Sequence, residues 1–81
     1  MLTELEGKDK VVGVKQLKKA LRDDKAAKVF VAGDADPGLV GPVVAVCREK
    51  NVSLEEVPTM AELGRACGIQ VGAAVAAILR P

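Results

Sequence analysis

The 81-residue chain has no histidine, tryptophan or tyrosine, and holds only two cysteines and one phenylalanine. Without histidine it lacks the side chain that most often moves protons or holds metals near neutral pH. It also lacks a G-x-S-x-G nucleophile turn, a Walker loop and a G-x-G-x-x-G fingerprint, so the usual nucleophilic and nucleotide-binding constellations are missing. Cys47 and Cys67 are too few and too far apart for a zinc cage. Each falls in an otherwise apolar stretch and reads as a small buried hydrophobe. The D-A-D of Asp34 and Asp36 offers a cation only two carboxylates, and Asp36 is placed to cap a helix. The expectation is a non-enzymatic protein with no cofactor, no metal and no small-molecule substrate. The scarcity of aromatics also counts against the base-stacking platforms of RRM, cold-shock and OB-type single-strand binders. No apolar run approaches the roughly 20 residues of a membrane span. The opening M-L-T-E-L-E-G has neither a basic region nor a continuous apolar stretch, so a cytoplasmic protein that does not engage a membrane is expected.

Hydrophobic residues make up 49% of the chain, chiefly Val, Ala and Leu, which is enough for one packed core and too much for general disorder. Residues 1–81 therefore read as a single domain, expected as a monomer. The net charge is only +1, but the charges are segregated. Between Lys8 and Lys28 stand eight basic residues (Lys8, Lys10, Lys15, Lys18, Lys19, Arg22, Lys25, Lys28) against three acids, a net of +5. The remainder carries four bases against eight acids. A near-neutral protein with one positive face fits a binder of phosphate backbones, and charge alone fits a merely solvated helix face equally well.

Along the chain, apolar strands alternate with amphipathic helices. Thr3 to Gly7 is placed like a capped helix but is too short to hold without packing, so residues 1–9 are expected as a mobile lead-in. Lys10–Val12 reads as a short strand. From Val14 to Asp24, apolar Val14, Leu17, Ala20 and Leu21 recur at helical spacing, opposite Lys15, Lys18, Lys19 and Arg22. Lys28–Ala32 is β-branched and apolar after its lysine, as in a strand buried on both faces. Asp36-Pro37 signals a helix start, and Pro42 predicts a break after one turn with a second start running to Lys50. Asn51 suits a left-handed closure. Ser53–Val57 reads as a strand stopped by Pro58, and T-M-A-E at Thr59 to Glu62 as a capping box for a helix ending at Gly68. Ala73 to Leu79 is ambiguous between strand and helix. The class predicted is α/β, with helices on both faces of a mixed sheet.

Base reading has one concentrated candidate, G-V-K-Q-L-K-K at Gly13 to Lys19. Gly13 lets an RNA backbone approach a helix start, where free amides favour anions. Lys15 can donate to a guanine O6/N7 edge, Gln16 can pair with a purine edge, and Lys19 and Arg22 lie further along to meet phosphates. A regular A-form helix hides these edges in a narrow groove, so the target must be distorted. Sheared G·A pairs beside a bulge would expose purines, and unstacked nucleotides need an apolar rest. G-I-Q-V-G at Gly68 to Gly72 offers Ile69 and Val71 around Gln70, although these two could equally serve as core packing at a strand start.

G-V-K-Q-L-K-K, A-G-D-A-D-P, C-R-E-K-N-V and E-L-G-R-A-C-G-I-Q-V-G-A-A occur in that order and together resemble the bacterial YbxF-type kink-turn RNA-binding proteins. These are relatives of archaeal and eukaryotic large-subunit ribosomal and box C/D ribonucleoprotein proteins. The resemblance implies a three-layer α-β-α sandwich with a four-stranded mixed sheet, in which Ala73 to Leu79 is a strand. It implies that Gly13, Lys15, Gln16 and Lys19 contact tandem sheared G·A pairs, with Lys-Gln standing where other branches carry Asn-Glu. It further implies a bulge-covering loop at Ile69, Gln70 and Val71, and Asp36 near the RNA. With Arg22 and Lys28 from the basic stretch, these form the expected RNA-binding set. The partner expected is kink-turn RNA, including ribosomal RNA; the alternative is a protein-interaction adaptor on the same fold.

Overall fold

A computed structural model describes residues 9–80. The order is β1 (Lys10–Val12), α1 (Val14–Arg22), β2 (Ala26–Ala32), α2 (Pro37–Glu49), β3 (Ser53–Val57), α3 (Met60–Ala66) and β4 (Val75–Leu79). The four strands form one sheet in the order β1-β4-β2-β3. β4 runs antiparallel to both β1 and β2, while β2 and β3 are parallel. The expected α/β sandwich with a four-stranded mixed sheet is the architecture observed.

Central position explains the apolar run of β2. Pairing on both edges and packing on both faces leave Val29 to Ala32 no side facing water, and alternate residues fill two different cores. Val29 and Val31 point to the layer of α1 and α2, where Leu17, Leu21, Val43, Cys47 and Val75 are buried. Phe30 and Ala32 point to the layer of α3, with Val57, Leu63, Cys67 and Ala76. Both cysteines are free and buried, and burial raises both thiol pKa values, with Lys10 pulling back on Cys67. A register shift between Ala26 and Lys28 turns the start of β2, so that Ala26 joins Val29 in the α1 and α2 core.

The ends follow local chemistry. Asn51 adopts φ 57°, and Thr59 Oγ1 accepts from the Glu62 amide at 3.1 Å. The last segment is a strand from Val75, which resolves the ambiguity of its alanines: pairing on both sides outweighs their helical preference. One expectation fails. Pro42 does not break the second helix, which runs continuously from Pro37 to Glu49. Proline there removes one amide bond and crowds the Gly38 carbonyl, but Gly38 is exposed to water, and Val43 and Cys47 just beyond are buried. Burial of that face outweighs a penalty of about 3 kcal/mol. The expected helix at Thr3 to Gly7 and most of the 1–9 lead-in lie outside the described residues.

Candidate nucleic-acid interface

The sheet pairing decides which residues share one end of the molecule. The C-terminal end of β1 leads into Gly13, and antiparallel pairing of Val12 with Ala76 sets it beside the N-terminal end of β4. The Gly13 amide donates to the Val75 carbonyl at 3.0 Å. Gly13 itself has φ +100°, and a Cβ there would meet nothing within 4 Å. Glycine is therefore required by backbone conformation, and the space above it is open. At the same end β2 finishes, with the Ala32 amide donating to Ala74 at 2.9 Å and Gly33 to Val57 at 2.7 Å. The start of α1, the loop entering β4, and the starts of α2 and α3 thus converge.

Each neighbour has a different chemistry. Among the described residues no side chain caps α1, and its first turn holds no acid, so its leading amides are open to solvent or a ligand. Lys15, Gln16, Lys18 and Lys19 are exposed beside them, while Leu17, Ala20 and Leu21 anchor the opposite face in the core. In the loop, Ile69 is 36% and Val71 71% exposed, so Val71 above all is not a core side chain. Gln70 between them is exposed. At the start of α2, in the same layer as α1, Asp36 caps the helix, accepting from the Gly38 amide at 2.9 Å. The end therefore brings together a basic helix start, an apolar loop and the acidic cap of α2.

Two candidates lie elsewhere. Arg22 closes α1, eight residues and about 12 Å along the helix from Val14 at 1.5 Å per residue. Its exposed side chain reaches Asp23 at 3.9 Å. Lys28 sits near the opposite end of β2, on the α3 face, with its ammonium 3.0 Å from Glu55 and 5.1 Å from the Phe30 ring centroid. The structure does not bring Lys28 to the cluster, and the sheet separates it from α1.

The contacts made by three supporting residues were not read from sequence. Asp34 accepts from the Met60 amide at 2.7 Å and so ties the β2–α2 connection to the start of α3. Gly64 is buried on α3, where a Cβ would fall on the Val71 carbonyl oxygen. Gly72 lies so close to Met60 that a Cβ would come within 3.0 Å of the Met60 Cβ. A glycine within a helical pattern is the one local sign of such a contact. The Asp34 bond joins distant residues and has none.

A basic, uncapped helix start beside an exposed apolar loop, on an α-β-α sandwich, defines a compact domain suited to a charged ligand with unstacked apolar faces. Comparison with known proteins gives the class a family: the chain belongs to the ribosomal protein L7Ae/L30e/S12e/Gadd45 family, whose model matches residues 3–81. It is 50% identical over 70 residues to an RNA-binding protein of Geobacillus sp. (strain WCH70), covering 86% of this chain and 85% of that one. It is 49% identical over 70 residues to the RNA-binding protein YbxF of Geobacillus stearothermophilus, with the same coverage. Among solved structures, the Giardia lamblia 15.5kD RNA binding protein superposes with TM-score 0.84 at 30% identity, across 99% of this chain and 66% of that one. A Bacillus halodurans protein of unknown function shares the fold, with TM-score 0.86 at 20% identity over 98% of this chain and 83% of its own.

Proposed function

We propose that this chain is an RNA-binding protein that recognises and stabilises a kink-turn, acting as a cytoplasmic monomer on or beside the ribosome and performing no chemistry. The observation that carries the reading is the hydrogen bond from Gly13 to Val75, which sets the start of the basic helix and the loop of Ile69 and Val71 at one end of the sheet. A sharply bent duplex can touch both. Lys15 and Gln16 would meet the exposed edges of sheared G·A pairs, and the open space at Gly13 and the free amides of α1 would receive a phosphate. Lys19 and Arg22 would follow the backbone along the stem. Ile69, Gln70 and Val71 would cover the unstacked bulge, with Asp36 at the rim. Relatives named as RNA-binding proteins, and a family that includes ribosomal proteins, support the target class and the ribosomal setting.

Titrating the protein with a kink-turn RNA, and with the same RNA carrying Watson-Crick pairs in place of the G·A pairs, tests this directly. Binding should be roughly tenfold or more tighter to the kinked RNA, since each good base contact discriminates by about 1 to 3 kcal/mol. Equal affinity would leave only non-specific attraction between lysines and phosphates.

A further inference from the structure

We infer that Gly64, buried in α3 on the far side of the sheet from the basic helix, is a positioning residue that sets the height of the bulge-covering loop. This rests on the kink-turn reading. The loop from Gly68 to Ala73 is laid directly on α3: the Ile69 amide donates to the Gly64 carbonyl at 3.1 Å, and the Ala73 amide to the Met60 carbonyl at 3.0 Å. Met60 and Gly64 are one helical turn apart and form a ledge under both ends of the loop. Between those two bonds, Val71 passes over Gly64 so closely that its carbonyl occupies the place of a Cβ, and the Gly72 Cα lies 3.2 Å from that same place. Backbone, not a flexible side chain, fills the space. A larger residue at 64 has to lift Val71 and its neighbours off the helix. Asp34 braces the ledge from the other side through the Met60 amide.

The consequence concerns recognition rather than folding. Seated on a bare helix surface, the loop backbone is held down while Val71 as a residue stays 71% exposed. The apolar patch is thus presented at a fixed height before RNA arrives, which lowers the ordering cost of binding. Because α1 packs on the opposite face of the sheet from α3, lifting the loop leaves the phosphate-binding lysines where they are.

Gly64→Ala should therefore separate the two halves of recognition. Alanine is the better helix former, so α3 itself is not weakened. Affinity for kink-turn RNA should fall roughly tenfold, about the effect of losing one apolar contact. Affinity for a regular duplex, and the salt slope on either RNA, should match the wild type. A purely structural role would lower binding to both RNAs in proportion to the unfolded fraction, and that result, or undiminished preference for the kink-turn, overturns the proposal. Gly72→Ala presses on the same ledge through Met60 and should give the same selective loss, so it serves if Gly64→Ala does not fold. Amide exchange in the unliganded wild-type protein is independent of both variants. The Ile69 and Ala73 amides should be protected, and exchange there as fast as in an open peptide would show that α3 does not hold the loop. If the wild type itself failed to prefer the kink-turn RNA while these amides were protected, the functional reading would fall and the seating of the loop would stand.

Discussion

Among the residues of α1, neighbours differ in what they are expected to read. Gln16 is exposed at the helix start, with both a donor and an acceptor to offer a purine edge, whereas Lys19 is one turn further on and offers a point charge. Lys19→Ala should weaken binding to every RNA and flatten the dependence of log K on log salt by about 0.7 to 0.9, the contribution of a single phosphate contact. Gln16→Ala should leave that slope alone and cost roughly 1 to 3 kcal/mol of discrimination between kinked and Watson-Crick RNA. Filter binding across a salt series measures both, and identical behaviour of the two variants would remove the distinction. These positions were legible because helical spacing sorts side chains: Leu17, Ala20 and Leu21 had to be buried, which turned the lysines outward. Lys28 was not legible in the same way. A basic stretch records sign but not direction, and its pairing with Glu55 depends on two strands being brought together by the fold.

Elements were most readable where their ends carry their own chemistry. Asp36, Thr59 and Asn51 satisfy or turn the backbone within a few residues of themselves, so they were recognisable without tertiary information. Asp36→Ala should cost about 1 kcal/mol, the usual value of an N-cap, and lower the melting temperature by roughly 4 to 8 °C for a domain of this size. Asp36→Asn should retain most of it, because the amide oxygen can still accept from Gly38; a thermal melt of each variant checks the pair, and equal loss would mean that charge rather than capping matters. Pro42 shows where local chemistry stops being sufficient. Its penalty is real, but the buried Val43 and Cys47 belong to the sheet's core, and that packing is absent from any window of sequence. The same reason left Ala73 to Leu79 ambiguous from its residues alone, since what makes it a strand is a partner on each edge. The seat of the loop on Gly64 is of this kind too: the glycine was visible, its purpose was not.

At the scale of the whole molecule, the sheet acts as a partition, and it assigns charge to function in a way that composition conceals. A net charge of +1 predicts little attraction to RNA, yet α1 presents its lysines on one face while Lys28 on the other is paired with Glu55. If RNA lies over the start of α1, exchanging charges within that pair should not affect it. The double variant Lys28→Glu, Glu55→Lys keeps the net charge, and because a partly exposed pair is worth at most about 1 kcal/mol it should fold. Its affinity for kink-turn RNA should stay within about twofold of wild type with an unchanged salt slope, since at 0.15 M salt charges beyond about 8 Å are screened. A matched exchange on the α1 and α2 side of the partition, Lys19→Glu with Glu56→Lys, also keeps the net charge but should lose at least the roughly 0.7 to 0.9 of slope that one contact supplies. Equal losses from the two exchanges would mean that RNA wraps onto the α3 face, where the apolar loop alone is expected to reach it.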